Sequence, residues 1–154
     1  MSRIVKDQAS IMSEISRLIS EGHTVTITAK GYSMNPFIVH LRDEITLGPW
    51  EDSMIQKGAV VLVRDIRGNY LIHRIIRRDS DSIVLMGDGN VGLTETAKTD
   101  GIIGIMTAVT KKGRTYPTDG LTWRLYSWFW QMITPVKRYP LALWRKLHRQ
   151  QPLR

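Results

Sequence analysis

The hydrophobic period of the chain changes twice. At the start, Ile4, Ile11, Ile15, Leu18 and Ile19 recur at spacings of three, four and seven, with Lys6, Asp7, Glu14 and Arg17 elsewhere on the wheel. That is the pattern of an amphipathic helix, and Gly22 is its stop. Residues 1–22 are read as this one helix packed on the body, too short for a helix-turn-helix domain. From Thr24 the period becomes two: Val25 and Ile27 alternate with threonines in a strand that runs into the Gly31–Pro36 loop. Further strands are expected at Glu44–Leu47, Ala59–Arg64, Tyr70–Arg78, Ser82–Met86 and Ile102–Val109. Turn chemistry separates them, with Arg67-Gly68-Asn69 and Asp79-Ser80-Asp81 as hairpins and Gly87-Asp88-Gly89-Asn90 as a tight loop.

Short strands spaced by turns over residues 23–116 predict a mainly β body, a coiled sheet or partly open barrel. Residues 117–154 return to the helical period. Leu121, Leu125, Trp128, Phe129, Met132 and Ile133 form one apolar stripe; Pro135 breaks it and Pro140 punctuates it again. Leu141, Trp144 and Leu147 predict a second short helix. The fold class is therefore a β domain with amphipathic helices at both ends.

Charge makes body and tail different objects. The net charge of +8 over 154 residues is concentrated at the end: residues 117–154 carry seven Lys or Arg against Asp119, whereas the first 116 carry fifteen bases against thirteen acids. Four of the five tryptophans (Trp123, Trp128, Trp130 and Trp144) lie in the same segment. The stripe has two readings. It is core against the sheet or the first helix, or it is a face for an anionic membrane surface, with Arg124, Lys137, Arg138, Arg145 and Lys146 reaching headgroups. Nucleic acid is set aside, because single-strand binders display aromatics on a sheet among bases, not along one helical face.

No stretch reaches the roughly 18 apolar residues of a spanning helix, and Asp7 and Glu14 interrupt any signal-peptide core, so the expected compartment is the cytoplasm. The absence of cysteine removes thiol catalysis, disulfides and thiolate metal sites, and His23, His40, His73 and His148 are too scattered for a histidine metal site. Neither a metal nor another cofactor is expected. The nucleophile candidates are then hydroxyls, which need a base at neutral pH. Ser33 lies in a loop that leaves a strand, and His73 sits within an apolar strand, sharing a face with Leu71 and Ile75. Each has a structural alternative, a loop serine or a satisfied core histidine. Asp88, in a glycine-rich turn at a strand end, is placed to orient an imidazole; its loop has neither P-loop nor dinucleotide-binding spacing.

Taken in order, these pieces resemble the signal peptidase and LexA-like serine peptidase superfamily. Gly31-Tyr32-Ser33-Met34-Asn35-Pro36-Phe37-Ile38 resembles its Gly-x-Ser-Met-x-Pro-x-Ile nucleophile box. Arg42-Asp43-Glu44-Ile45 and the run from Lys57-Gly58-Ala59 to Val63 are similar to its paired Gly-Asp-x-Val strands, with Arg42 in place of one glycine and Ala59 in place of one acid. Ile72-His73-Arg74-Ile75-Ile76 is similar to its Val-His-Arg-Val segment, Met86-Gly87-Asp88-Gly89-Asn90 to its Lys-Gly-Asp-Asn-Asn loop, and Asp100–Gly104 to its closing segment. The likeness covers about residues 24–110.

The resemblance implies a β fold of that type without the membrane-spanning anchor, with Ser33 as nucleophile and His73 as general base in the histidine-type manner. Asp88, Glu95 and Asp100 stand as the alternatives for a third, acidic member, since Thr94 occupies the place where histidine-type relatives carry theirs. Backbone around Ser33, from Gly31 through Met34 to Pro36, is where oxyanion and substrate contacts belong. The expected function is a serine endopeptidase acting on a peptide or protein through a Ser33–His73 dyad. The competing expectation is a noncatalytic peptide-binding or adaptor domain of the same fold.

Overall fold

A computed structural model describes residues 8–148, so Ile4, Lys6 and Asp7 of the first helix and Arg149 and Arg154 of the tail lie outside the described residues. Helix α1 (Gln8–Ser20) buries Ile15 and Ile19 and stops where Gly22 takes a φ of +92°. There the Gly22 N–H donates to the Ile19 carbonyl and the His23 N–H to that of Leu18, which closes the helix end.

Eight strands follow: β1 (Val25–Thr28), β2 (Glu44–Gly48), β3 (Val60–Arg64), β4 (Tyr70–Arg78), β5 (Ser82–Met86), β6 (Glu95–Lys98), β7 (Ile102–Lys111) and β8 (Arg114–Pro117). They pair in the order β1-β2-β7-β3-β4-β5-β6, with β8 on β7, and every pairing is antiparallel. The sheet curls into a half-barrel. Register shifts in β2–β7, β3–β7 and β4–β5 accompany the curl, since a bulge bends its strand and raises the local twist.

Strand β3 (VVLVR) reads as an unbroken apolar run because both of its faces are covered. Val60 and Leu62 join one core with Ile15, Ile19, Leu47 and Met106. Val61 and Val63 join a second with Ile75, Ile83, Leu85 and Ala97. All six expected strands form, with ends shifted by one or two residues at β2, β3 and β7. Strands β6 and β8 were not expected.

The tail differs from expectation in which face it buries. Helix α2 (Leu121–Met132), a 3-10 turn (Thr134–Val136) and helix α3 (Arg138–His148) follow the sheet. Pro140 sits within the first turn of α3, where a missing N–H costs no helical bond. Leu121, Leu125, Trp128, Phe129 and Met132 all point outward, while Trp123, Ser127 and Trp130 are the buried residues of α2. The helix is apolar on both sides. The side that turns inward is the one bearing an indole N–H and hydroxyls, which the polar cluster beneath it uses.

Candidate active site

Ser33 stands half-buried in the loop between β1 and β2. This loop is pinned at its base and from the side. The Ala29 N–H donates to the Asp43 carbonyl and the Leu41 N–H to that of Ala29. Asp43, fully buried, accepts from the Val39 N–H at 2.8 Å, from Arg42 at 2.7 Å and from the Lys111 ammonium at 2.6 Å. Lys111 also donates to the Phe37 carbonyl, so one cation ties the end of β7 to the loop. Burial alone would raise the Asp43 pKa; donation from Arg42, Lys111 and Val39 outweighs it and holds the carboxyl below its ordinary value.

On its other side the loop meets residues 87–90. The Gly89 N–H donates to the Ser33 carbonyl at 2.7 Å. A Cβ at Gly87 would fall 2.4 Å from the Ser33 carbonyl oxygen, and one at Gly89 would fall 2.4 Å from that of Tyr32. The two glycines therefore serve close approach; neither takes the positive φ that glycine supplies in many turns.

His73 is carried by β4 opposite Val61, with only 8% of its side chain exposed. Its Nδ1 lies 2.8 Å from Oε2 of Glu95, the first residue of β6. An ionised carboxylate only accepts, so Nδ1 is the nitrogen that carries the hydrogen toward Glu95, and in the neutral imidazole the lone pair is then on Nε2. Ser33 and His73 line one cleft of about 830 Å³, together with Ala29, Gly31 and Met34 beside the end of β1. Leu62 and Ile72 form apolar wall, and α1 contributes Met12 and Ile15.

The remaining expected residues are distributed differently. Asp88 is not the partner of the imidazole. Its carboxylate is buried and accepts from Arg74 twice, at 2.7 Å and 2.8 Å, and from the Tyr126 hydroxyl at 2.8 Å. The indole N–H of Trp130 donates to the Asp88 carbonyl at 3.0 Å. Asp100 lies exposed in a 3-10 turn after β6. Of the three acids left open by the sequence, Glu95 is the one on His73. Gly31 and Met34 line the cleft, but the Gly31 N–H is already spent on Nδ1 of His40 at 2.6 Å. Pro36 lies elsewhere, in a smaller hollow with Phe37, Arg42, Lys111 and Trp144.

Arg74 is the functional neighbour that pattern reading left unassigned. It is 2% exposed in the middle of an apolar strand, and such a guanidinium needs a carboxylate. It also donates to the Gly58 carbonyl at 3.0 Å and to the Ser127 hydroxyl, and stacks over the Trp123 ring at 5.2 Å. Burial disfavours its charge, but Asp88 more than offsets this and raises its pKa further. Burial and the Asp88 charge likewise push the Tyr126 phenol well above its usual value. Lys137 turns inward, 3.3 Å from the Gly87 carbonyl, and burial pulls it below the ordinary lysine value. Arg145 donates to the Gly89 carbonyl at 2.6 Å. The tail thus holds the 87–90 loop, and that loop holds the backbone of Ser33.

No protein-family model matches the chain, and no curated protein matches it either.

Proposed function

We propose that the chain is a serine endopeptidase with a fold of the signal peptidase and LexA-like type, in which Ser33 is the nucleophile, His73 the general base and Glu95 the group that orients His73. The observation that carries this reading is the Nδ1–Glu95 contact of 2.8 Å, which leaves Nε2 as the accepting nitrogen of a histidine that shares a cleft with Ser33. In the proposed reaction the Ser33 Oγ bonds to the scissile carbonyl carbon as its proton passes to Nε2. The proton then goes to the leaving amine as the C–N bond breaks, and water resolves the acyl-enzyme by the same route.

The substrate class is an extended peptide. Strand β1 pairs only with β2 among the described residues, and Ile27 and Thr28 at its end run along the cleft beside Ser33. An extended segment laid on that edge would gain backbone hydrogen bonds there and apolar contacts from Met34 and Ile72. The deciding experiment is labelling of the full chain with a biotinylated fluorophosphonate. The expected result is a serine adduct mapping to Ser33 by mass spectrometry and absent from Ser33→Ala. Failure to label, with tight binding of peptides to the same cleft, would move the assignment to a noncatalytic peptide-binding domain.

A further inference from the structure

The outward side of the tail carries a run of exposed apolar residues that the proposed chemistry leaves unused. Leu121, Leu125, Trp128, Phe129 and Met132 are each more than half exposed, and their spacing puts them on one side of α2. Val136 continues the exposed apolar residues through the 3-10 turn, and Tyr139, Leu143 and Leu147 recur every fourth residue on α3. The inward side is committed: Trp123, Trp130 and Leu141 are buried, and Lys137 and Arg145 are bonded to the 87–90 loop. Nine large apolar side chains exposed along α2, the 3-10 turn and α3 mark an interaction face.

Charge selects the occupant. No Asp or Glu follows Asp119, whereas Arg124, Arg138 and Lys146 flank the exposed apolar residues and are themselves exposed. A second copy of this chain would set cation against cation with no carboxylate on either helix to answer it. A nucleic acid would meet leucines, methionine and phenylalanine where it needs bases. An anionic bilayer satisfies both halves at once: aliphatic and aromatic side chains enter the acyl boundary, tryptophan sits at headgroup level, and the cations meet phosphate. At 12 and 11 residues the two helices are too short to cross, and no helix among the described residues is long and apolar enough to do so. We infer that α2 and α3 lie in the interfacial plane of an anionic membrane and dock the domain there as a peripheral protein. Of the cations first expected at the headgroups, Lys137 is excluded because it is turned into the body, and Arg145 because its guanidinium is engaged by the Gly89 carbonyl.

The test is flotation of the full chain with vesicles of phosphatidylcholine alone or mixed with phosphatidylglycerol, at low and high salt. The wild-type chain is expected to float with anionic vesicles at low salt, with a partition coefficient about tenfold or more lower on neutral lipid or at high salt. Trp128→Glu with Phe129→Glu, both at exposed positions, should lower it by about tenfold or more while leaving the melting temperature unchanged. Leu143→Glu on α3 provides a second, separate probe. Binding does not require hydrolysis, so Ser33→Ala must float like wild type, and failure of the peptidase reading leaves this result untouched. Absence of flotation with anionic vesicles, or equal flotation of both glutamate variants, overturns the inference. So does a concentration-dependent dimer in light scattering that the glutamate variants dissolve, which would assign the face to a second copy.

Discussion

The backbone N–H of Gly89 donates to the carbonyl oxygen of Ser33 at 2.7 Å, so the loop after β5 and the loop after β1 share one bond at the proposed nucleophile. The approach is close enough that neither glycine of the Gly-Asp-Gly turn has room for a methyl group: carbonyl oxygens of Ser33 and Tyr32 lie 2.4 Å from where the Cβ atoms of Gly87 and Gly89 would sit. Gly89→Ala should force the loops apart at a cost of about 1–3 kcal/mol, the scale of overpacking, and lower fluorophosphonate labelling at Ser33 several-fold. Gly92, whose Cβ would meet nothing within 4 Å, is the control for backbone effects at a glycine of the same connection. Its φ is +76°, so Gly92→Ala carries some strain, but labelling at Ser33 should survive. Equal labelling of wild type and Gly89→Ala would refute the role given to this contact.

Glu95 offers a sharper division between orientation and stability. Glu95→Gln keeps the shape of the side chain but presents an amide, which no longer requires Nδ1 to carry the hydrogen. In the proposed mechanism kcat should fall by roughly 10²–10⁴ with KM little changed, and the loss should not add to that of Ser33→Ala. Glu95→Asp retains the charge and should recover part of the rate. A uniform rise in KM with unchanged kcat would place Glu95 in substrate binding instead.

The sequence made parts of this site legible and hid others for physical reasons. Strands β4 and β5 show their pattern openly, since Ile75, Ile83 and Leu85 each fill a core and turn residues flank them. Strand β6 reads ETAK, with only Ala97 buried, and is a strand because β5 offers it a backbone ladder from Ser82↔Lys98 to Leu85↔Glu95. A pairing supplied by a neighbour leaves no apolar period to find, and β8, built on the Lys112-Gly113 turn with positive φ at both residues, is the same case. Glu95 therefore had no visible element to carry it toward His73. Asp88 was visible but misassigned, because the demand came from Arg74, and only the register Arg74↔Met86 brings that guanidinium beside the 87–90 loop.

The Arg74–Asp88 pair predicts a structural phenotype where an orienting acid would give a catalytic one. Both side chains are 3% exposed, so Asp88→Asn leaves a buried guanidinium short of charge. Removing one partner of such a pair costs about 3–5 kcal/mol. Urea unfolding should show that loss as a lower midpoint, together with release of Trp123 and Trp130 fluorescence from their buried state. If Asp88→Asn kept wild-type stability and lost only hydrolysis, Asp88 would belong to the reaction after all.

Asp43 sets the expected response to acid. Burial works to raise its pKa, but donors from Arg42, Lys111 and the Val39 N–H prevail and leave it below the ordinary aspartate value. A folded value below the unfolded one means the unfolded chain binds more protons in the interval between them. The stabilisation is therefore fully present above the ordinary value of about 3.9 and is lost as pH falls through the lower folded value. Urea midpoints measured from pH 7 down to about 3 should hold until the ordinary aspartate range and then decline. Asp43→Asn removes the charge that three donors share, so it should start lower at pH 7 by about 1–3 kcal/mol and decline less steeply in acid. Because Lys111 links Asp43 to the Phe37 carbonyl, the same variant should also loosen the serine loop and reduce labelling at Ser33. Parallel acid slopes for wild type and Asp43→Asn would show that another carboxyl governs the acid limb.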